Sequence, residues 1–338
     1  MSSGKLVSNR SEILFLYDIK YANPNGDPME ENKPRIDEKT GVNIVTDVRL
    51  KRTIRDYIAE YEKKPIFVIG EEKESGEIKT RKEKINEIKG KQHDENIGEV
   101  LLSNFIDLRL FGATIPIKKE KAKKSEEEES ESSEERQKGY KWIGPVQFRF
   151  GRSLHKVKPI LIKGTTVLPS GEGKTAGTFT ETYVVPYSLI CFYGIVNENN
   201  ASKTQLTEDD VNLMYKAMWN GTKNLITRSK FGQMPRLLLV VTYKEKNYHI
   251  GDLDRMIKIK TDKKDEELRD ISEVKIDLTE LINTLKRNLE KIESISVEAD
   301  DVTVFLYGDK ETKGKDELIK MLNEEVKNVK VVPMNINL

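Results

Sequence analysis

Cysteine and histidine are scarce in this chain: Cys191 stands alone, and His93, His155 and His249 are the only imidazoles in 338 residues. A single thiol excludes an intrachain disulfide framework and any Cys-rich zinc site. Three scattered histidines lack the spacing of a His-based metal centre. No metal and no cofactor is therefore expected. No apolar run approaches the roughly 20 residues that span a bilayer, and the opening MSSGKLVSNR lacks the apolar stretch of a signal peptide. The chain reads as soluble and cytoplasmic, with no membrane partner. An excess of one charge is missing too. Fifty-eight basic residues face 57 acidic ones, for a net charge of +1, which argues against a simple cationic nucleic-acid binder.

What is present is a packed interior under a heavily charged surface, with 36% hydrophobic and 34% charged residues. The charge balance conceals a local asymmetry. Residues 126–135 (EEEESESSEE) carry −7 by themselves, so the rest of the chain carries +8. This length admits one elaborated domain or two modest ones.

The apolar run Ile13–Ala22 reads as a strand buried on both faces. The turn-rich Asn23-Pro24-Asn25-Gly26-Asp27-Pro28 stops it, and a polar loop continues to Val45. Thr46-Asp47 offers the start of a helix through Tyr61. Leu50, Ile54, Tyr57 and Ile58 share one face of it, Lys51 and Arg55 project from a flank, and Arg52 lies further round. Residues 62–100 are charge-dense, with one short helix expected near 79–90, and 101–111 (LLSNFIDLRLF) return to an apolar pattern. A Lys/Glu-rich tract over 118–138 reads as an inserted surface loop. Strand signals resume at Val146–Phe150. Residues 151–189 predict a long hairpin: Gly151–Lys163 goes out, Thr178–Leu189 returns, and Ile190–Val196 extends the return. A capping-box-like Thr207-Glu208-Asp209-Asp210 opens a helix to about Leu225, and Leu237–Tyr243 is a buried strand. From about Lys244 the chain predicts an α/β extension with a helix at Leu278–Ile292, a strand at Val302–Tyr307, a helix at Lys315–Lys327 and a strand at Val329–Met334.

Strand, helix, strand, strand, helix, strand is the order of an α+β, ferredoxin-like or RRM-like plan. The expected division is such a unit over 11–243, with an insertion at 62–140 and the hairpin at 151–189, followed by a C-terminal extension over 244–338 packed on it.

Isolated motifs carry little. Gly171-Glu172-Gly173-Lys174-Thr175 resembles part of a phosphate loop, but Leu168 stands where the first glycine belongs and the segment is a polar hairpin tip. His155 has no nucleophile elbow or Cys partner in view, so contact with an RNA sugar or phosphate is its better functional reading. Successive turn residues around Asn25 can present backbone N–H groups as an anion nest, while Asp27 and Asp37 in the same connection are candidate carboxylates. Lys51, Arg52 and Arg55, and the pair Arg228 and Lys230, read either as solvated surface or as phosphate contacts. The aromatic–glycine signatures of sequence-reading RRMs are absent.

Five blocks together resemble a known family: Asn23–Tyr57 (NPNGDPMEENKPRIDEKTGVNIVTDVRLKRTIRDY), Asp107–Ala113, Gly144–Val157 (GPVQFRFGRSLHKV), Thr178–Ile190 and Trp219–Tyr243. They resemble the crRNA-binding backbone subunit of type I CRISPR Cascade, nearest its type I-B form. The resemblance implies an RRM-like palm, a finger insertion, and a thumb hairpin with Thr166, Gly171, Lys174 and Gly177 at its tip. It implies copies lined up along one crRNA, whose thumbs displace a nucleotide at regular intervals and leave the rest to pair with target DNA. Other Cascade subunits, a large one and those that cap the crRNA ends, would be partners, and cleavage would belong to a recruited nuclease-helicase. A subunit that accepts any spacer must grip phosphates and sugars rather than bases. Lys51, Arg52 and Arg55 match the basic helix of the family, and Arg152, His155, Arg228 and Lys230 match positions near its RNA path, with Asn25 of the anion nest counted among the RNA contacts. Type III relatives are the chief rival. They cut target RNA with an aspartate in the first loop, where Asp27 and Asp37 stand, but they enter the helix by a Gly/Ser-rich turn rather than Val45-Thr46-Asp47-Val48. A non-CRISPR interaction protein, with its acidic tract as a docking tail, is the remaining alternative.

Overall fold

Ile13, Phe15, Tyr17 and Ile19 pack into one hydrophobic core while the intervening Leu14 and Leu16 pack into another. Side chains alternate across a strand, so an unbroken apolar run requires a cover on each face. The computed structural model, which describes residues 4–73, 75–91, 97–116, 139–165 and 179–336, provides both covers.

Six elements form the frame: β1 (Ser11–Ala22), α1 (Asp47–Glu60), β2 (Gly151–Lys156), β3 (Phe179–Val196), α2 (Glu208–Lys223) and β4 (Met234–Tyr243). The strands lie side by side in the order β4-β1-β3-β2, every neighbour antiparallel. Ser11 faces Val196 on one side and Thr242 on the other, which fixes the register of the centre. Both helices cover the face bearing Phe15 and Tyr17. They approach closely: a Cβ on Gly221 of α2 would sit 2.9 Å from Cβ of Tyr57. Thr207 and Asp210 cap α2 reciprocally, as their spacing predicts.

Between α1 and β2 the chain builds an insertion with its own small core, in which Phe67, Ile85, Leu101, Leu102, Leu108 and Ile115 are buried. It contains the helices Arg81–Lys91, Ile97–Asn104 and Ile106–Phe111 and the paired strands Gly112–Pro116 and Gly139–Ile143. Gly112 enters that hairpin at φ 67°, where a Cβ would lie 2.2 Å from the Trp142 carbonyl oxygen. Two buried ion pairs fasten the insertion. Arg109 holds Asp210 through Nε (2.8 Å) and Nη2 (2.7 Å), and Arg55 Nε reaches Asp107 at 3.2 Å.

The C-terminal third covers the opposite face. It adds α3 (Thr279–Arg287), β5 (Ile292–Ala299), α4 (Gly314–Glu325) and β6 (Lys330–Pro333). β5 pairs antiparallel with β4, and β6 runs parallel to β5. Leu281, Ile282, Leu285, Leu318 and Leu322 share one core with Leu14, Leu16 and Leu239. Glu12 of β1, fully buried, ties the join: its carboxylate accepts from the hydroxyls of Tyr193 and Tyr243 and from the backbone N–H of Ile250 (2.9 Å) and Gly251 (2.8 Å).

Three elements depart from expectation. The segment read as the tail of a helix to Ile292 turns there into β5. The loop before α1 contains the short strands Ile36–Asp37 and Val42–Val45, the latter pairing with β2. The hairpin over 151–189 is interrupted, because β2 ends at Lys156 and a separate strand, Ile160–Thr165, pairs with Phe179–Val184. The acidic tract and the tip residues Thr166, Gly171, Lys174 and Gly177 lie outside the described residues.

Candidate nucleic-acid interface

The loop between β1 and α1 brings distant segments together. Asn23 N–H donates to the Ser229 carbonyl at 2.8 Å, which joins the loop to the turn before β4. Asn25 Oδ1 accepts from both N and Oγ1 of Thr46 at 2.8 Å, so Asn25 rather than the Thr46 side chain secures the start of α1. Asp37 lies 3.5 Å from Arg152 of β2, and the Lys33 ammonium sits 5.0 Å from the Tyr183 ring centroid on β3. An open cleft of about 590 Å³ runs between this loop and the base of the hairpin, lined by Lys33, Arg35, Thr46, Phe150, Pro159 and Tyr183 among others.

The two flanks of α1 have different surroundings. Lys51 and Arg55 face the insertion. Lys51 Nζ pairs with Asp47 at 3.1 Å and lies 3.3 Å from Gln147, and the Arg55 guanidinium covers the Phe111 ring at 4.9 Å while pairing with the fully buried Asp107. Their side chains are only 12% and 13% exposed, so reaching a phosphate would mean leaving these partners, of which Asp107 is fully buried. Arg52 points outward, 56% exposed, against Asp56.

Arg49, on the other flank, is the residue that sequence reasoning passed over. Its Nη2 donates to Thr53 Oγ1 at 3.0 Å, but its buried Nε has no partner. Burial lowers its pKa; Asp56, 4.0 Å from Nη2, offsets part of the shift and the like charge of Arg52 adds to it. Lys230 is half-buried nearby and is lowered by burial and by the charge of Arg49 itself. Arg228 is exposed on the same turn. Among the described residues seven buried side-chain N or O atoms lack a partner, and three of them, Asn23 Oδ1, Arg35 Nε and Arg49 Nε, belong to this loop and helix start. Like charges beside the two unmet Nε donors of Arg35 and Arg49 describe a site that an anion would relieve, whereas Asn23 Oδ1 is an acceptor and calls for a donor.

A sequence profile described as "CRISPR-associated protein Cas7" matches residues 9–279. The chain belongs to the Cas7 family. A relative from Haloferax volcanii, also named CRISPR-associated protein Cas7, is 36% identical over 327 residues, covering 94% of each chain. Two solved chains are similar in shape. One, titled "CRISPR RNA-guided surveillance complex, pre-nicking", is 12% identical with a TM-score of 0.47, over 85% of this chain and 92% of that one. The other, titled "CRISPR RNA-guided surveillance complex", is 11% identical with a TM-score of 0.47, over 94% and 98%.

Other candidates in this Cas7 chain are reassigned by their surroundings. His155 is buried, stacked on Tyr187 with centroids 5.5 Å apart. Its Nδ1 donates to the Lys156 carbonyl at 2.9 Å and its Nε2 accepts from Leu189 N–H at 3.3 Å. The ring is neutral, its pKa lowered by burial, and both nitrogens are engaged in the sheet rather than offered to RNA. Asp27 caps its own turn through Met29 N–H and pairs with Arg35 at 2.6 Å. Asp37 accepts from Lys39 N–H at 3.1 Å, and hydrogen bonds from the Thr40 side chain and the turn amides hold its carboxyl below the usual range. Among the described residues no group of three His, Cys, Asp or Glu side chains has metal-binding geometry, and no helix is long and apolar enough to cross a membrane.

Proposed function

We propose that this Cas7 protein is a non-catalytic backbone subunit of a type I CRISPR interference complex. Copies line up along one crRNA, grip its sugar-phosphate backbone, and present the spacer for pairing with target DNA. In this reading β1 to β4 with α1 and α2 form an RRM-like palm, the insertion between α1 and β2 is the finger, and the hairpin beyond Ile160 is the thumb. A large subunit and crRNA-end-capping subunits complete the complex, and a recruited nuclease-helicase cuts. The crowding of Arg49 against Lys230, beside the unmet buried Nε donors of Arg49 at the helix start and Arg35 in the loop, carries the proposal. Arg52, Arg152 and Arg228 extend the grip, whereas Lys51 and Arg55 act indirectly by holding the finger to the helix. The engagement of Asp27 and Asp37 within their own turns supports a scaffold over a type III-like ribonuclease. Cations that touch phosphates supply affinity without base information.

The test is the double variant Arg49→Ala/Lys230→Ala. Each cation removed from a phosphate should shallow the slope of log affinity against log salt by about 0.7 for single-stranded RNA, and unrelated spacers should suffer equally. A folded double variant with wild-type affinity and slope would refute the proposal.

A further inference from the structure

Many lysines of the described surface are matched with carboxylates: Lys20 with Asp270, Lys216 with Glu62, Lys263 with Glu273 and Lys275 with Glu311, for example. The end of the sheet beyond Tyr243 differs. There a cleft of about 520 Å³ is lined by Lys244, Lys286, Arg287, Lys291 and Lys327. Among the described residues only Lys286 of these five has a carboxylate within reach, Glu325 at 2.7 Å. Lys291 lies 4.1 Å from the Tyr248 ring centroid, and Arg287 donates to Thr284 Oγ1 at 2.8 Å. Lys244, Arg287 and Lys327 are exposed. The cations come from four segments held by the sheet and its helices: the residue after β4, the end of α3, the residue before β5 and the turn after α4. Lys244 N–H donates to the Lys291 carbonyl at 2.9 Å, which fixes two of these segments together.

The carbonyl ends of α3 and α4 explain part of this charge, since cations favour helix C-termini. Two such ends amount to roughly one negative charge. Five cations against those ends, Glu290 on the rim and Glu325 leave the cleft at about +2. The excess is not needed to cap helices. β4 has ten residues, so at about 3.3 Å per residue the cleft lies roughly 30 Å along the sheet from the Arg228–Lys230 turn. It is a separate site.

We infer that this cleft binds the phosphate backbone of a second nucleic-acid strand, single-stranded DNA, without reading its sequence. Its assignment to DNA alongside a guide RNA rests on the function proposed above, while its affinity for phosphates does not. Exposed cations from several segments suit a flexible polyanion, which gains affinity by releasing counterions wherever a cation meets a phosphate.

The experiment uses guide-loaded protein and labelled oligothymidylate. Lys244→Glu/Arg287→Glu/Lys327→Glu should weaken DNA binding at least tenfold, relative to wild type, and shallow the salt slope by about 2. Guide RNA affinity should stay unchanged. Lys244→Gln/Lys327→Gln, two exposed substitutions, should give an intermediate loss with an unchanged circular dichroism spectrum. Equal DNA binding by wild type and both variants would overturn the inference, as would equal loss of RNA and DNA, which would mean one shared site. Wild-type protein that ignores oligothymidylate but binds poly-glutamate would also overturn it, in favour of an acidic protein segment. If the protein fails to bind guide RNA at all, the same DNA comparison on RNA-free protein still decides the cleft.

Discussion

His155 and Asp18 titrate against each other. Burial keeps the His155 ring neutral and its pKa below the usual 6.5, so the folded state takes up its proton less readily than the unfolded chain. Its contribution to stability is present above that value and is lost as pH falls through the depressed folded value. Asp18 has the opposite sign. Burial pushes its carboxyl up to about 6, partly offset by Arg236, so its contribution is largest in acid and is lost as pH rises through about 6. Asp18 therefore cushions the protein against the loss at His155. Asp18→Asn should make the unfolding midpoint fall more steeply between pH 7 and pH 5 than in wild type; parallel curves would contradict this pairing. Arg109 and Asp210 are each under a tenth exposed, so Asp210→Ala strands a buried guanidinium and removes the carboxylate half of the α2 capping box, leaving Thr207 Oγ1 on the backbone N–H of residue 210. Urea unfolding should show a loss of about 3–5 kcal/mol.

At the scale of elements, the two flanks of α1 make separable predictions. Arg55→Ala leaves Asp107 with the backbone N–H groups of Phe67 and Val68 as its remaining donors. It should cost about 1–3 kcal/mol of stability while leaving the salt slope for RNA intact. Arg49→Ala should do the reverse, and thermal melting beside an RNA titration separates them. This division was not legible in the sequence. A helical wheel shows which positions flank an apolar face, but not whether a flank meets solvent or a segment inserted fifty residues later. Lys51 and Arg55 read as a phosphate clamp because Asp107 and Phe111 are remote in sequence, and Arg49 was missed because Lys230 is remoter still. The elements themselves were more readable. β1 and β4 carry the unbroken apolar runs Ile13–Tyr17 and Leu237–Val241 because both faces are covered, and α2 declares its start through Thr207 and Asp210. β5 was hidden because Glu293, Ser294, Ser296 and Glu298 interrupt its apolar positions and follow directly on a helical pattern; Glu298 is tolerated in the interior by Lys315 at 3.1 Å.

For the whole molecule, both faces of the sheet are covered, and the cationic features described above lie at its two ends. One end carries the loop, the helix start and the turn before β4, proposed for guide RNA; the other carries the lysine-rich cleft. Alanine at Asp27 or Asp37 should loosen the loop without changing nuclease behaviour, because no cutting is expected with or without divalent metal. Regular metal-dependent cuts in complementary RNA, abolished by either substitution, would instead make this a ribonuclease. The central claim is that the protein is a phosphate-gripping scaffold for a guide. Sequencing the RNA that copurifies from native cells tests it most directly. The account predicts RNA with constant flanks and diverse middles, held in a manner indifferent to sequence. Protein that emerges free of RNA, and that fails to bind added guide in a gel shift, would contradict it.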